Sequence, residues 1–352
     1  MVAKKAAPAL LAGLGAVMAG RALRRGRPFD FDGASVVITG GSRGLGLNMA
    51  RQLAEEGARL TILARDKDEL ARAKRDIQAH ARGAQVLTVV CDVAEQRQVQ
   101  DAIEAAVRQY GRLDVLINNA GQIIVGPVEN MAVADYERMM AVNLRGPLYG
   151  MYAALPHMKR QGGGRIVNIA SVGGKVAIPH LVPYCASKFA LVGLSDGMRA
   201  ELARHNIRIT TVCPGELRTG AHLNSLFKGQ QGKEFEFLAF SESSPASSMD
   251  AGRAARQIVD ACRHGDPALT ISVQARAMAI SNALFPSVTA AVSATTARFL
   301  PRPDPDGGNR AKLGWDSFTK LAPSLLTFLE DKAAVDNNGL KGHKSPLRGG
   351  KR

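Results

Sequence analysis

Ser35-Val36-Val37-Ile38-Thr39-Gly40-Gly41-Ser42-Arg43-Gly44-Leu45-Gly46 decides how the rest of the chain is read. A β-branched run ends in a turn with glycines at 40, 41, 44 and 46, and an amphipathic stretch over 45–56 follows at once. The order predicts a buried strand, a tight turn and a helix. Glycines let the backbone approach a ligand closely, and the unpaired N–H groups and positive dipole end of a helix start suit a phosphate. An ordinary tight turn would use the same residues, so the meaning depends on the surroundings.

Those surroundings repeat the pattern. Further strands are predicted at 59–64, 86–91, 115–118, 165–170, 207–213 and 269–272, with helices at 66–81, 95–110, 135–158, 184–204 and 252–262 between and around them. Strands joined through helices must lie parallel, and right-handed crossovers then cover both faces. The predicted fold class is α/β: a Rossmann-like, doubly wound parallel sheet of about seven strands in a single domain, residues 31–275. After Pro214 the pattern loosens into a polar loop that includes 241–248, read as a substrate lid. Residues 276–300, apolar with Pro286 inside, read as a helical extension that is a hairpin on the domain, a dimer contact or a membrane-facing element. Residues 301–352 read as a mostly irregular tail with an amphipathic patch at Trp315, Phe318, Leu321, Leu325 and Phe328.

The net charge of +15 would point to nucleic acid if it lay on the folded body. It does not. Residues 1–28 carry six Lys or Arg and no acid, and residues 301–352 carry ten basic against six acidic side chains. Basic tails without a reading element or interleaved aromatics exclude a nucleic-acid reader. The N-terminal extension, 1–30, holds a short apolar segment between Lys4, Lys5 and Arg21, Arg24, Arg25, Arg27. Its uncharged part is shorter than the ~20 residues of a spanning helix. Membrane association through it, a soluble extension, a targeting remnant and a packed helix all stay open. Cys91, Cys185, Cys213 and Cys262 form no C-x-x-C pair, and histidines such as His157, His180 and His205 show no ligand spacing, so no metal is expected.

The motifs continue with Asp92-Val93 after the third strand, Asn118-Asn119-Ala120-Gly121 after the fourth, Asn143, Ser171 past the fifth, Tyr184-Cys185-Ala186-Ser187-Lys188, and Pro214-Gly215 with Thr219. On a helix, Lys188 lies one turn from Tyr184. An ammonium there stabilises a phenolate and would pull the tyrosine down from ~10. Over residues 34–272 the set T-G-x-x-x-G-x-G, N-N-A-G, Ser, Y-x-x-x-K and P-G-x-x-x-T resembles the short-chain dehydrogenase/reductase family, an ordinary-length member with extensions at both ends. The resemblance implies an oxidoreductase in which Tyr184 is the proton donor or acceptor. Lys188 bonds the nicotinamide ribose, Ser171 holds the substrate oxygen, and Asn143 keeps a water on the proton path.

The same resemblance implies a cofactor site at Gly40, Ser42, Arg43, Gly44, Leu45, Gly46, Arg65, Asp92, Val93, Asn119, Ala120, Gly121, Tyr184, Lys188, Pro214, Gly215 and Thr219. An Asp closing the second strand would favour NAD; here the strand ends Ala64-Arg65, and Arg65 with Arg43 suits the extra phosphate of NADP(H). Asp66 is read as a helix N-cap. Around the site, Ile178, Leu181, Val182, Leu223, Leu226, Phe227 and Phe237 imply a lipophilic carbonyl or alcohol substrate. The family's habits imply a homodimer or homotetramer in the cytoplasm, with membrane association through the N-terminal segment left open. A non-catalytic NADP-binding sensor or scaffold is the alternative.

Overall fold

The β-branched runs become strands because each buries alternate residues on opposite sides of one sheet. The computed structural model describes residues 28–244, 247–324 and 327–340. In chain order they form β1 (Ser35–Thr39), α1 (Gly44–Glu55), β2 (Arg59–Ala64), α2 (Lys67–His80), β3 (Val86–Val90), α3 (Gln96–Tyr110) and β4 (Val115–Asn118). Then come α4 (Val133–Met140), α5 (Gly146–Arg160), β5 (Gly164–Ile169), α6 (Val182–Leu202), β6 (Ile207–Pro214), α7 (Gln231–Ser243), α8 (Ala251–His264) and β7 (Ala268–Ile271). Helices α9 (Val273–Leu284), α10 (Pro286–Ala297) and α11 (Phe328–Asp336) follow.

The seven strands lie in the order β3-β2-β1-β4-β5-β6-β7, every pair parallel. Val36, Ile38, Leu60 and Ile62 face one layer with Leu47, Leu53 and Ile258 of α1 and α8. Val37, Leu63 and Leu116 face the other, with Ile103 of α3 and Met151 and Met158 of α5. The strand order reverses between β1 and β4, which opens a crevice at their carboxyl ends.

Two elements differ from expectation. The long helix over 135–158 is broken by a π-helical turn, Ala141–Arg145. Pro147 has no N–H to give the Asn143 carbonyl, so the α-ladder fails there, and wider turns of this kind are common at functional sites. Part of the stretch read as a polar loop is α7, whose Phe235, Leu238 and Ala239 are buried at helical spacing.

Beyond β7, α9 and α10 form a hairpin in which Pro286 opens the second helix. The chain then returns to the crevice. A short strand Lys312–Leu313 pairs antiparallel with Leu226–Phe227, and α11 packs against α7. The apolar N-terminal segment before Pro28 and the position of Leu325 lie outside the described residues. Among the described residues no helix is long and apolar enough to cross a membrane.

Candidate active site

The glycine turn is held by its neighbour across the crevice. Thr39 Oγ1 accepts the N–H of Asn119 and Ala120 at 3.0 Å, and Asn119 Nδ2 donates to Thr39 O and Gly40 O, each at 3.0 Å. The Asn119 side chain therefore braces the turn. Asn118, one residue earlier, donates to Asn168 Oδ1 at 2.8 Å and ties β4 to β5. The open crevice, about 1180 Å³ including its mouth, is lined by Gly40, Ser42, Arg43, Gly44, Leu45, Arg65, Asp92, Val93, Asn119, Ala120, Gly121 and Thr219. Of the predicted set, Gly46, Pro214, Gly215, Tyr184 and Lys188 do not line this open part. Pro214 and Gly215 are pinned at the end of β6, where Gly215 N–H donates to Ile271 O at 3.2 Å.

The residues present fit a dinucleotide. Gly44 takes φ +55°, and a Cβ on it would stand 3.4 Å from Thr219, in the gap between the crevice walls. A side chain at Gly121 would come within 3.3 Å of Asn143 Oδ1 and 3.6 Å of Lys188 Nζ. Charge at the adenosine end is partly committed. Glu69, buried and unpredicted, accepts from the Ser42 hydroxyl and, at 2.8 Å, from Arg43 Nη1. Arg65, 61% exposed at its side chain, lies 3.9 Å from Asp92 Oδ2. Asp66 caps α2 by accepting the Glu69 N–H at 2.9 Å.

The second group of predicted residues meets where β5 ends and α6 begins. Ser171 Oγ accepts the Gly173 N–H at 3.0 Å and favours the ionised form of the Tyr184 phenol. Lys188 Nζ lies 5.7 Å from the centre of the Tyr184 ring and donates to Ile169 O at 2.9 Å. Burial dominates both groups. It pushes the Tyr184 phenol above its usual 10, against the lowering influence of Ser171, and it brings Lys188 down to about 8. Desolvation, and not the expected acidification by Lys188, sets the direction for the tyrosine in this arrangement. Asn143, fully buried in the π turn, donates to Gln122 O at 3.0 Å and Ser187 Oγ at 2.9 Å and accepts the Gln122 N–H at 2.9 Å. Its carboxamide fastens the loop after β4.

The chain is similar to known proteins over the same stretch. The family model described as short chain dehydrogenase matches residues 34–228. The chain belongs to the short-chain dehydrogenase family. It is 38% identical to levodione reductase of Leifsonia aquatica over 194 residues, 54% of this chain and 72% of that one. With 3-ketodihydrosphingosine reductase of Bos taurus it shares 33% over 236 residues, 66% and 69% of the two chains. The solved structure of L-sorbose reductase from Gluconobacter frateurii, complexed with NADPH and L-sorbose, matches at TM-score 0.61 and 25% identity, covering 69% of this chain and 97% of that one. Membership makes this chain a hydride-transfer oxidoreductase acting on alcohol or ketone groups with a nicotinamide cofactor.

Unlike the motif residues, the parts that the C-terminal segment brings to this dehydrogenase site were not foreseen. Asn337 O accepts the Gly44 N–H at 3.0 Å, and Asn338 Nδ2 donates to Ser42 O at 2.8 Å and Glu69 O at 3.1 Å. On the substrate side, Leu181, Leu223, Phe227 and Phe235 pack with Ala322 and Ala334, and Ile178, Tyr184 and Trp315 lie against them. Leu226 turns instead toward Ile124 and Met139, and Val182 faces solvent.

Proposed function

We propose that this chain is an NADP(H)-dependent reductase or dehydrogenase for a lipophilic ketone or secondary alcohol. The observation that carries the reading is the meeting of Ser171, Tyr184 and Lys188 where β5 ends, with Lys188 Nζ 5.7 Å from the centre of the Tyr184 ring. Bound nicotinamide supplies or takes the hydride. Ser171 Oγ holds the substrate oxygen, and the Tyr184 hydroxyl gives that oxygen its proton or receives one from it. The Lys188 ammonium offsets the charge left on the phenol oxygen. Asn143 acts through Gln122 and Ser187 by fixing the wall beside them.

The glycine turn and the Gly121 wall would hold the phosphates and ribose, Asp92 and Val93 the adenine, and Thr219 with Pro214-Gly215 the carboxamide end. Arg65 and the uncommitted nitrogens of Arg43 would meet the 2′-phosphate, since no carboxylate closes β2 to repel it. An apolar substrate would sit against Ile178 and Tyr184, the partly buried edge of the packed cluster of Leu181, Leu223 and Phe227. The relatives' names divide between 3-ketodihydrosphingosine and L-sorbose and do not choose. Following NADPH and NADH oxidation with long-chain or polycyclic ketones beside sugars and keto acids tests the reading. We expect NADPH and the apolar ketones to win in kcat/KM, and Arg65→Ala to cut the NADPH preference roughly tenfold, one charge-assisted phosphate contact. Equal use of NADH, or preference for sugars, overturns the finer assignment.

The reading extends to a homodimer or homotetramer through the outer faces of α5 and α6, where Tyr152 and Phe189 are exposed. It also places the α9–α10 hairpin on a cytoplasmic lipid surface. Phe285 and Phe299 are 60% and 85% exposed there, and residues 267–303 contain arginines but no acid. The full chain should sediment as a dimer or larger and float with anionic vesicles but poorly with neutral ones. A monomer that floats with neither removes both extensions.

A further inference from the structure

A buried group of ionisable side chains lies apart from the catalytic residues, where the loop after β6 meets α7 and α11. His222, Glu242 and Glu330 are 0%, 4% and 0% exposed. His222 Nδ1 lies 3.4 Å from Glu330 Oε1 and 3.8 Å from Glu242 Oε2. Across the ring, Nε2 is 3.2 Å from Asp331 Oδ1, whose companion oxygen accepts from Thr327 Oγ1 at 2.6 Å. Glu330 Oε1 accepts the N–H of Thr219 and Gly220 at 3.2 and 2.6 Å. What remains is anomalous: among the described residues, neither Glu242 Oε2 nor Glu330 Oε2, both buried, has a hydrogen-bond partner. Buried carboxylate oxygens need a donor, a proton or a cation.

We propose that His222, Glu242 and Glu330 form a binding site for one divalent first-row transition ion. One ligand atom from each lies within 4.8 Å of the others. Around a tetrahedral ion, ligands at about 2.0–2.2 Å stand roughly 3.4 Å apart, so a shift of the side chains closes the site. The Asp331–His222 contact matches the way a ligating imidazole has its other nitrogen held by a carboxylate. One imidazole with two carboxylates suits zinc and its neighbours better than magnesium or calcium, which take oxygen alone. The three ligands come from a loop and two helices that are far apart in sequence, which is why histidine spacing gave no sign of them. A bound ion would join the Thr219 loop, α7 and α11, and so fix the C-terminal segment over the glycine turn.

The test uses the full chain, stripped with chelator and titrated with ZnCl2 alone, with retained zinc measured after gel filtration. About one equivalent should be retained. Glu242→Gln, nearly isosteric, should weaken zinc binding at least tenfold. Should that variant misfold, Asp331→Asn, which frees the imidazole, is expected to weaken zinc about 10–100-fold. Co2+ in place of zinc should give visible d–d absorption that the folded variants lose. Wild type that retains no zinc, or a folded variant that binds it as tightly as wild type, overturns the site and leaves a cluster that shares protons instead.

Discussion

Replacing Tyr184 by Phe should lower kcat for ketone reduction by about 10²–10⁴-fold, the usual contribution of a positioned general acid. The ring belongs to a packed cluster with Leu181, Leu223 and Phe227, so Phe keeps that packing and loses only the hydroxyl. Cofactor affinity and melting temperature should stay near wild type, which separates loss of chemistry from loss of fold. Burial keeps the phenol protonated across the neutral range, so it begins as the donor that ketone reduction needs. Lys188, brought down to about 8, is charged below that pH and neutral above it. The kcat/KM for reduction should therefore be flat from about pH 6 to 7.5 and fall as pH rises through about 8. Stopped or continuous NADPH absorbance assays across pH check both expectations. A Phe variant within threefold of wild type would return the protein to the non-catalytic, cofactor-binding alternative.

How much of this was readable in the residues follows from how local each feature is. The strand–turn–helix at 35–55 was legible because alternation and glycine placement are properties of neighbouring positions, and the same holds for the repeats that make the sheet parallel. Tyr184 and Lys188 were legible because a helix fixes what lies four residues on. Their proton affinities were not, because these depend on burial supplied by the whole fold. The break at Asn143 had a visible cause in Pro147, although periodicity alone carried the helix through it. Glu69 was hidden for a different reason: its grip on Ser42 and Arg43 crosses from α2 to the turn before α1, where no motif links them. The contacts of Asn337 and Asn338 with the glycine turn span nearly the whole chain, and a composition-based reading of the tail as irregular had no means to place them.

Gly46→Ala is expected to be the most damaging of small substitutions at the turn. A Cβ at this position would stand 2.6 Å from Asn119 Nδ2 and 2.9 Å from the Gly40 carbonyl carbon, and closer still to the Gly40 oxygen. Neither neighbour can yield cheaply. The Gly40 atoms are backbone, and the Asn119 amide is fixed by its bonds to Thr39 O and Gly40 O. Relief must come from moving α1 away from the turn, which disturbs the layer formed by Leu47, Met49 and Leu53. Overpacking of this kind costs about 1–3 kcal/mol. For a domain of this size that lowers Tm by roughly 2–12 °C. The same displacement tilts the first-turn N–H groups away from the crevice, so nicotinamide cofactor affinity should fall at least tenfold, more than stability alone would explain. Thermal unfolding beside cofactor titration separates the two effects. If the alanine variant bound cofactor as tightly as wild type, the first turn of α1 would not be the phosphate site, and the mechanism built around it would have to move with it.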